Sequence, residues 1–325
     1  MNTSGNSEPV EKAGPSEKRG ASLLAVLKKT LFEVSEDKIP RLAASLAFYT
    51  LLSLSPLLFL AVAVAGFVFG EEAARGQIAA QLTQVFGAEA GEAIEAMIRY
   101  ARQPGSGIVG TVIGIAVLFF GASGVFGELQ DSLNTIWEVA PRPGRGVWGI
   151  IKDRFLSFTM VLGVAFLLLV SLVVSAALAA IGNWISGFDA VEVVWEVVNF
   201  FVSMGLIALL FGLVFKVIPD VKVRWRDVAL GAVVTAALFT LGKLLIGLYV
   251  GKAGVASPYG AAGSLVVIVV WVYYSAHILF IGAEFTQVYT RVMGAPVELK
   301  RGAIPVTDEA RAQQGIPRTP ASASS

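Results

Sequence analysis

The segment GSLVVIVVWVYYSAHILFIGA spans residues 263–283 and contains no Asp, Glu, Lys or Arg. It is long enough to cross the ~30 Å hydrocarbon core of a bilayer, which takes about 20 apolar residues in a helix. No water is present there to satisfy the backbone N–H and C=O groups, so a crossing segment is predicted to be helical. The segment therefore indicates an integral membrane protein.

Other stretches of the 325-residue chain are similarly poor in charge. They predict an all-α fold, a polytopic membrane protein built as a six-transmembrane-helix bundle. One transmembrane domain is expected over residues 21–294, between disordered cytoplasmic tails at 1–20 and 295–325. The six predicted crossings lie in the windows Leu42–Gly70, Gln103–Gly127, Phe155–Phe188, Val197–Phe215, Val228–Gly251 with Lys243 inside it, and Ala253–Ala283.

Amphipathic surface helices are predicted on both sides of the bundle. Between Ala21 and Glu36, apolar residues recur with helical spacing and lysines lie opposite them. This pattern is typical of a helix on the cytoplasmic membrane surface, or of a soluble helix packed on the loops. The outer loop Glu71–Arg102 carries two further apolar stripes separated by glycines, so two short helices are expected to cover the outer face.

The positions of Lys and Arg predict the orientation. Seven precede the first window, the five loops hold three, four, none, four and one, and five follow the last window. Because basic loops stay in the cytoplasm, both termini are predicted to be cytoplasmic. The basic side is interpreted as topology and contact with anionic lipids, and no nucleic-acid partner is expected.

Composition argues against several kinds of chemistry. The chain has no cysteine and one histidine, His277, so disulfides, thiol catalysis, thiolate metal sites and clusters of several histidines are excluded. No nucleotide-binding P-loop motif occurs in the sequence. The protein is therefore expected not to be an enzyme and to need no metal or other cofactor.

Three strings together resemble the YihY/virulence factor BrkB family of bacterial inner-membrane proteins. They are AASLAFYTLLSLSPLLFL at 43–60, GASGVFGELQDSLNTIWEV at 121–139 and YGAAGSLVVIVVWVYYSAHILFIGAEFTQVY at 259–289. The resemblance covers residues 22–295 and implies six crossings in the bacterial inner membrane. Some members have carried the label ribonuclease BN, and others are discussed as transport proteins. The residues disfavour the nuclease label, because metal-dependent nucleases need clustered ligands and the one histidine lies in an apolar crossing.

Three ionisable residues fall inside predicted crossings: Lys243, His277 and Glu284. At 1.5 Å per helical residue, Lys243 lies about 6 Å outside the midplane, His277 near it and Glu284 about 10 Å inside it. Such residues usually face the bundle interior or a water-filled cavity. A transport interpretation makes Glu284 a cation or proton site with His277 as a relay. The structural alternatives are a snorkelling Lys243, a hydrogen-bonded His277, and pairing of Glu284 with a basic residue: Arg41, Arg154 or Lys216.

Further pathway candidates flank these residues. Tyr273 lies near the face shared by His277 and Glu284. Pro56 predicts a kink in the first crossing, because proline frees the carbonyl four residues earlier. Hydroxyl residues before it, including Tyr49, either satisfy that carbonyl or line a polar path. A cytoplasmic polar cluster, interpreted as an ion-pair network in preference to a gate, is predicted from Glu128, Asp131, Asn134 and Arg154.

Two functions fit this pattern. The first is a transporter or flippase-like carrier of a lipid-like or amphipathic substrate, indicated by the intramembrane charges and the predicted kink. The alternative is a non-transporting membrane scaffold for envelope assembly. Membrane lipids, anionic on the cytoplasmic face, are the expected partners in both cases.

Overall fold

The computed structural model describes residues 23–70, 124–142, 189–253, 263–294, 296–300, 302–307 and 309–310, with a few isolated positions between 72 and 95. The described part is mostly helical, as predicted. Its helices are α1 (Leu23–Glu36), α2 (Ile39–Phe69), α3 (residues 124–136), α4 (Asp189–Val217), α5 (Trp225–Ala253) and α6 (Gly263–Met293). Its strands are β1 (Val139–Pro141), β2 (Val221–Lys222), β3 (Glu298–Leu299) and β4 (Ala303–Pro305).

Three of the described helices are long and apolar enough to cross a membrane. The spans are Val197–Val217 with 21 residues, Trp225–Ile246 with 22 and Leu265–Met293 with 29, and α2 contains a shorter apolar stretch, Ile39–Leu54. They fall in four of the predicted windows. Most of the window Gln103–Gly127, all of Phe155–Phe188, the tail 1–20 and most of the outer loop Glu71–Arg102 lie outside the described residues.

Helix α6 is the centre of the described bundle, since α1, α2 and α5 all pack on it, and α4 packs on the far side of α5. The main core lies towards the end of the bundle that carries the strands, here called the strand end. Phe215 of α4, Phe280 of α6 and Ile136 of α3 are fully buried in it. Leu241, Leu244 and Leu245 of α5 are exposed instead, as lipid-facing residues are.

Helices α5 and α6 approach closely through two reciprocal glycine–threonine contacts. A Cβ added at Gly231 of α5 would collide with the side chain of Thr286 of α6, and one added at Gly282 of α6 would collide with Thr235 of α5. Each threonine hydroxyl donates a hydrogen bond to the glycine carbonyl of its own helix, at 2.6 Å for Thr235 and 2.7 Å for Thr286. Small residues allow such close approach where lipid supplies no hydrophobic drive between helices.

The chain after α6 forms two short strands, β3 and β4, which pair with strands in two earlier loops. This order differs from the disordered tail predicted from residue 295. Strand β3 pairs antiparallel with β2, and β4 pairs antiparallel with β1. Lys300 adds a backbone hydrogen bond to the Asp220 carbonyl at 3.0 Å and a side-chain bond to the Val217 carbonyl at 2.8 Å. The strands that pair with β3 and β4 lie in loops far away in the sequence. The local composition of the tail therefore does not indicate that it is ordered.

Helix α1 packs on α6 and leaves its leucine stripe uncovered. Val26 and Thr30 are buried, and Val26 forms a small cluster with Phe285 and Val288 of α6. Leu24, Leu27 and Leu31 are more than half exposed. The helix thus packs on a transmembrane helix and not on loops, with an apolar face available to the membrane surface.

Candidate functional site

Helix α6 carries a polar stripe that leads to the strand end. Its members are Tyr273, His277, Glu284, Gln287 and Arg291. Their separations of four, seven, three and four residues place them on one helix face, because residues three, four and seven apart superpose at 3.6 residues per turn. The sequence predicted the first three of these as a group.

Glu284 is the most deeply buried charged side chain of the stripe. Its exposure is 0%, and neither carboxyl oxygen accepts a hydrogen bond from a donor among the described residues. Its charged neighbours are the carboxyl groups of Asp37 and Glu33 and the guanidinium of Arg291. Glu33 is near enough for a hydrogen bond between the two carboxyl groups once one of them carries a proton. Two of these three neighbours are acidic, and the cation among them is Arg291, which the sequence did not suggest as a partner; Arg154, one of the suggested partners, lies outside the described residues.

Helix α1 and the turn that follows it supply the two acidic neighbours. Helix α1 packs on α6 through Val26, and Glu33, seven residues later, lies on the same face of α1. Lys29 of α1 forms an ion pair with Glu33 at 3.5 Å. Asp37 follows in the turn to α2 and is buried to 3% exposure. Lys38 completes that turn in the left-handed conformation, with a φ of 53°. Neither acid was predicted as a site residue, and only their polar positions within the amphipathic pattern mark them in the sequence.

His277 is half-buried and is separated from Glu284 by an apolar residue. Its ring contacts the Tyr273 ring edge to face, with centroids 4.7 Å apart, and its Nδ1 has no hydrogen-bond partner among the described residues. Phe280, at 0% exposure, lies between the two along α6. The proposed relay from His277 to Glu284 therefore has no continuous polar connection along this helix.

The other pathway candidates do not meet at Glu284. Lys243 is exposed on the leucine face of α5, where its snorkelling alternative places it. Tyr49 is 39% exposed and its ring packs edge to face on Phe48. Pro56 lies within α2, which is assigned as helix without a break.

The predicted cytoplasmic cluster is organised around an acid that the sequence did not single out. Asn134 donates to the Asp220 carboxylate at 3.0 Å and accepts from the Asp220 backbone N–H at 2.8 Å. Asp131 is exposed and Glu128 half-buried, and Arg154 lies outside the described residues. In the part of the chain that the structure describes, the network joins α3 to the loop after α4 through an amide–carboxylate pair.

A pocket of about 330 Å³ opens at the strand end, below Glu284. Gln287, Thr290 and Arg291 of α6 form one wall, and Trp137 and Glu138 after α3 form another. Arg291 and Glu138 make an ion pair of 3.0 Å across it. Gln287 is three residues from Glu284, about 4.5 Å along the helix, so the pocket ends one turn short of that carboxyl group.

No group of three histidine or acidic side chains is placed to hold a metal ion in the part of the chain that the structure describes.

Comparison with known proteins identifies relatives over most of the chain. The family model of virulence factor BrkB matches residues 30–303. A UPF0761 membrane protein of Cronobacter sakazakii is 30% identical over 286 residues, covering 83% of this chain and 90% of that protein. A UPF0761 membrane protein of Tolumonas auensis is 29% identical over 259 residues, covering 78% and 81%. No solved structure matches the chain.

Proposed function

The chain belongs to the virulence factor BrkB family of membrane proteins. From that premise we propose that it is a non-enzymatic carrier of a lipid-like or amphipathic substrate. In this proposal Glu284 is the proton site. One observation carries the proposal. Glu284 is a fully buried carboxyl group on a membrane-length helix; two acids and Arg291 are its charged neighbours, and its oxygens accept no hydrogen bond from the described residues. Intramembrane carboxyl groups mark proton or ion pathways in transporters.

The acids around Glu284 suggest how a proton would be held and released. Two neighbouring carboxyl groups cannot both ionise without repulsion, so a pair of this kind holds one proton between its members. Glu33 is the partner on α1, and its other neighbour Lys29 supplies a cation when Glu33 is charged. Proton transfer from Glu284 to Glu33 would then move a proton towards the surface and leave the negative charge on Glu284.

The proposal includes an orientation. We assign the strand end to the cytoplasm, with both termini there, six crossings in the bacterial inner membrane and anionic lipids as partners. Basic residues gather at this end: Lys216, Lys222, Arg224, Arg226, Arg291 and Lys300. Since the natural chain lacks cysteine, a single cysteine at exposed Glu298 can be labelled in whole cells. Labelling by a membrane-impermeant maleimide before lysis would place this end outside and contradict the assignment.

The experiment that tests transport is reconstitution of the purified chain in liposomes. Lipid translocation is followed with fluorescent lipids and proton movement with an internal pH dye. Glu284→Gln keeps the size of the side chain and removes its ability to ionise, so at least a tenfold loss of proton-coupled flux is expected. Glu298→Gln, an exposed acid on β3 whose side chain is 75% exposed, is the matched control and should transport normally.

Two results would contradict the proposal. If Glu284→Gln and the wild-type chain show the same flux at matched folded protein, Glu284 is a structural group. If the wild-type chain moves neither lipid nor protons above empty liposomes, the carrier function is rejected.

A second candidate, a membrane scaffold, is supported by the uncovered leucines of α1 (Leu24, Leu27 and Leu31). An apolar helix face of this kind can receive a partner helix as well as lipid. Site-specific photocrosslinking from position 27 distinguishes the two occupants. A single crosslinked protein partner, together with liposomes that show no flux, favours the scaffold.

A further inference from the structure

We propose that the pocket at the strand end binds the head of a single-chain anionic amphiphile that carries a hydroxyl group, with Arg291 as the residue that receives its charge. The inference rests on the proposed function, since it names the chemical class of the substrate and the place where the substrate first binds. Its test measures binding, so that it can fail or succeed separately from transport.

The size and lining of the pocket fit an amphiphile head. A volume of about 330 Å³ equals about eleven water molecules at ~30 Å³ each. Much of the wall is apolar, from Val139, Val221, Val297 and Leu299. Few polar groups and an apolar lining are the usual composition of a small-molecule site. The volume accommodates a head group and the first carbons of a chain, and the rest must lie outside.

The charge in the pocket is available to a ligand. Arg291 holds Glu138 at 3.0 Å, and their side chains are 40% and 29% exposed. A partly exposed ion pair of this kind contributes little to stability, because water screens it. A phosphate or carboxylate head could therefore displace Glu138 and bind the guanidinium through two hydrogen bonds.

Two lining residues have polar atoms without a hydrogen-bond partner. The indole Nε1–H of Trp137 is a donor and the amide Oε1 of Gln287 is an acceptor, and these residues are only 7% and 2% exposed. A buried polar group left without a hydrogen-bond partner destabilises the protein. A hydroxyl group can accept from the indole and donate to the amide, which is why the ligand class includes one.

Binding is measured on the purified full-length chain by native mass spectrometry. The probes are lauroyl lysophosphatidate, dodecyl phosphate, which has the same charge type and chain length without the hydroxyl, and inorganic phosphate. Lysophosphatidate is expected to bind about tenfold more tightly than dodecyl phosphate, which corresponds to one hydrogen-bonded group at 1.4 kcal/mol per tenfold. Inorganic phosphate should not bind at the same concentration.

Two variants and a control test the location. Arg291→Gln removes the cation, and Val297→Trp fills the pocket without touching the ion pair, so each should reduce lysophosphatidate binding at least tenfold. Arg226→Gln removes an exposed arginine from the same end of the bundle and should bind as wild type does. Equal binding by all variants overturns the site, and equal binding of inorganic phosphate overturns the amphiphile class.

The outcome is separable from that of the carrier proposal. Loss of binding in Val297→Trp while the wild-type chain shows no flux in liposomes would support the pocket and reject transport. Glu284-dependent flux together with no lysophosphatidate binding would reject the pocket alone.

Discussion

Substitution of Gly282 by alanine tests the closest contact of the bundle. A Cβ at this position would lie 2.8 Å from the Cβ of Thr235 and 2.7 Å from its Cγ2. Carbon atoms in ordinary contact are about 3.5–4.0 Å apart. Helices α5 and α6 must therefore separate locally by about 1 Å, since both clashing groups are attached directly to helix backbones.

The magnitude follows from two opposing effects. Inserting a methyl group into a well-packed contact costs about 1–3 kcal/mol. Alanine is favoured over glycine within a helix by up to about 1 kcal/mol, which offsets part of that cost. We expect Gly282→Ala to destabilise the protein by about 1–2 kcal/mol. Gly205→Ala in α4 is the matched control, because nothing lies within 4 Å of its added Cβ, and it should be neutral or slightly stabilising.

Thermal unfolding of the purified variants in one detergent, followed by intrinsic fluorescence, measures the difference. Gly282→Ala should lower the midpoint and Gly205→Ala should not. Thr235→Ala should recover part of the loss in the double variant, because it removes the Oγ1 and Cγ2 atoms that clash. Equal midpoints for Gly282→Ala and Gly205→Ala would show that α5 and α6 do not meet here.

Two further predictions concern the strand end. Asn134→Ala removes both hydrogen bonds to Asp220 and should destabilise the protein by about 1–3 kcal/mol, seen as a lower unfolding midpoint, whereas an unchanged midpoint would reject the amide–carboxylate pair. Burial lowers the pKa of Lys300, the Asp220 carboxylate raises it and Lys216 lowers it. Between that lowered pKa and the ordinary value near 10.4, the unfolded chain binds more protons than the folded one, so stability should rise with pH. Lys300→Gln should flatten this rise in unfolding midpoints measured from pH 8 to 10.5, and an identical slope would contradict it.

The helices and the deepest acid could be predicted because both depend on local composition. A span needs only a long apolar run; three of the six charge-poor windows contain described helices of this kind, and a fourth contains the shorter apolar stretch of α2. Glu284 stands out for the same reason, since a carboxyl group within such a run needs a special environment. The face of α5 on which Lys243 lies could not be predicted, because α5 is apolar on all sides and periodicity then gives no direction.

The partners of these residues could not be predicted because they depend on long-range contacts. Asn134 and Asp220 are 86 residues apart in the chain, and Glu33 meets Glu284 only because α1 folds back on α6. Strands β3 and β4 have two and three residues, too few for an alternating pattern. Residues 298–305 therefore resemble a polar tail until the loops that pair with them are in place.

Helices α5 and α1 pack on two sides of α6 with contacts of different extent. This difference indicates from which side Glu284 is more easily exposed. On the α5 side, the reciprocal glycine–threonine contacts leave no space for sliding. On the α1 side, the contact rests on a small cluster of Val26, Phe285 and Val288, and the opposite face of α1 is uncovered. Separation of α1 thus costs less buried apolar surface than separation of α5. Because α1 also carries Glu33, the carrier proposal implies that a movement of α1 away from α6 would expose Glu284 and separate it from the acid beside it in the same step.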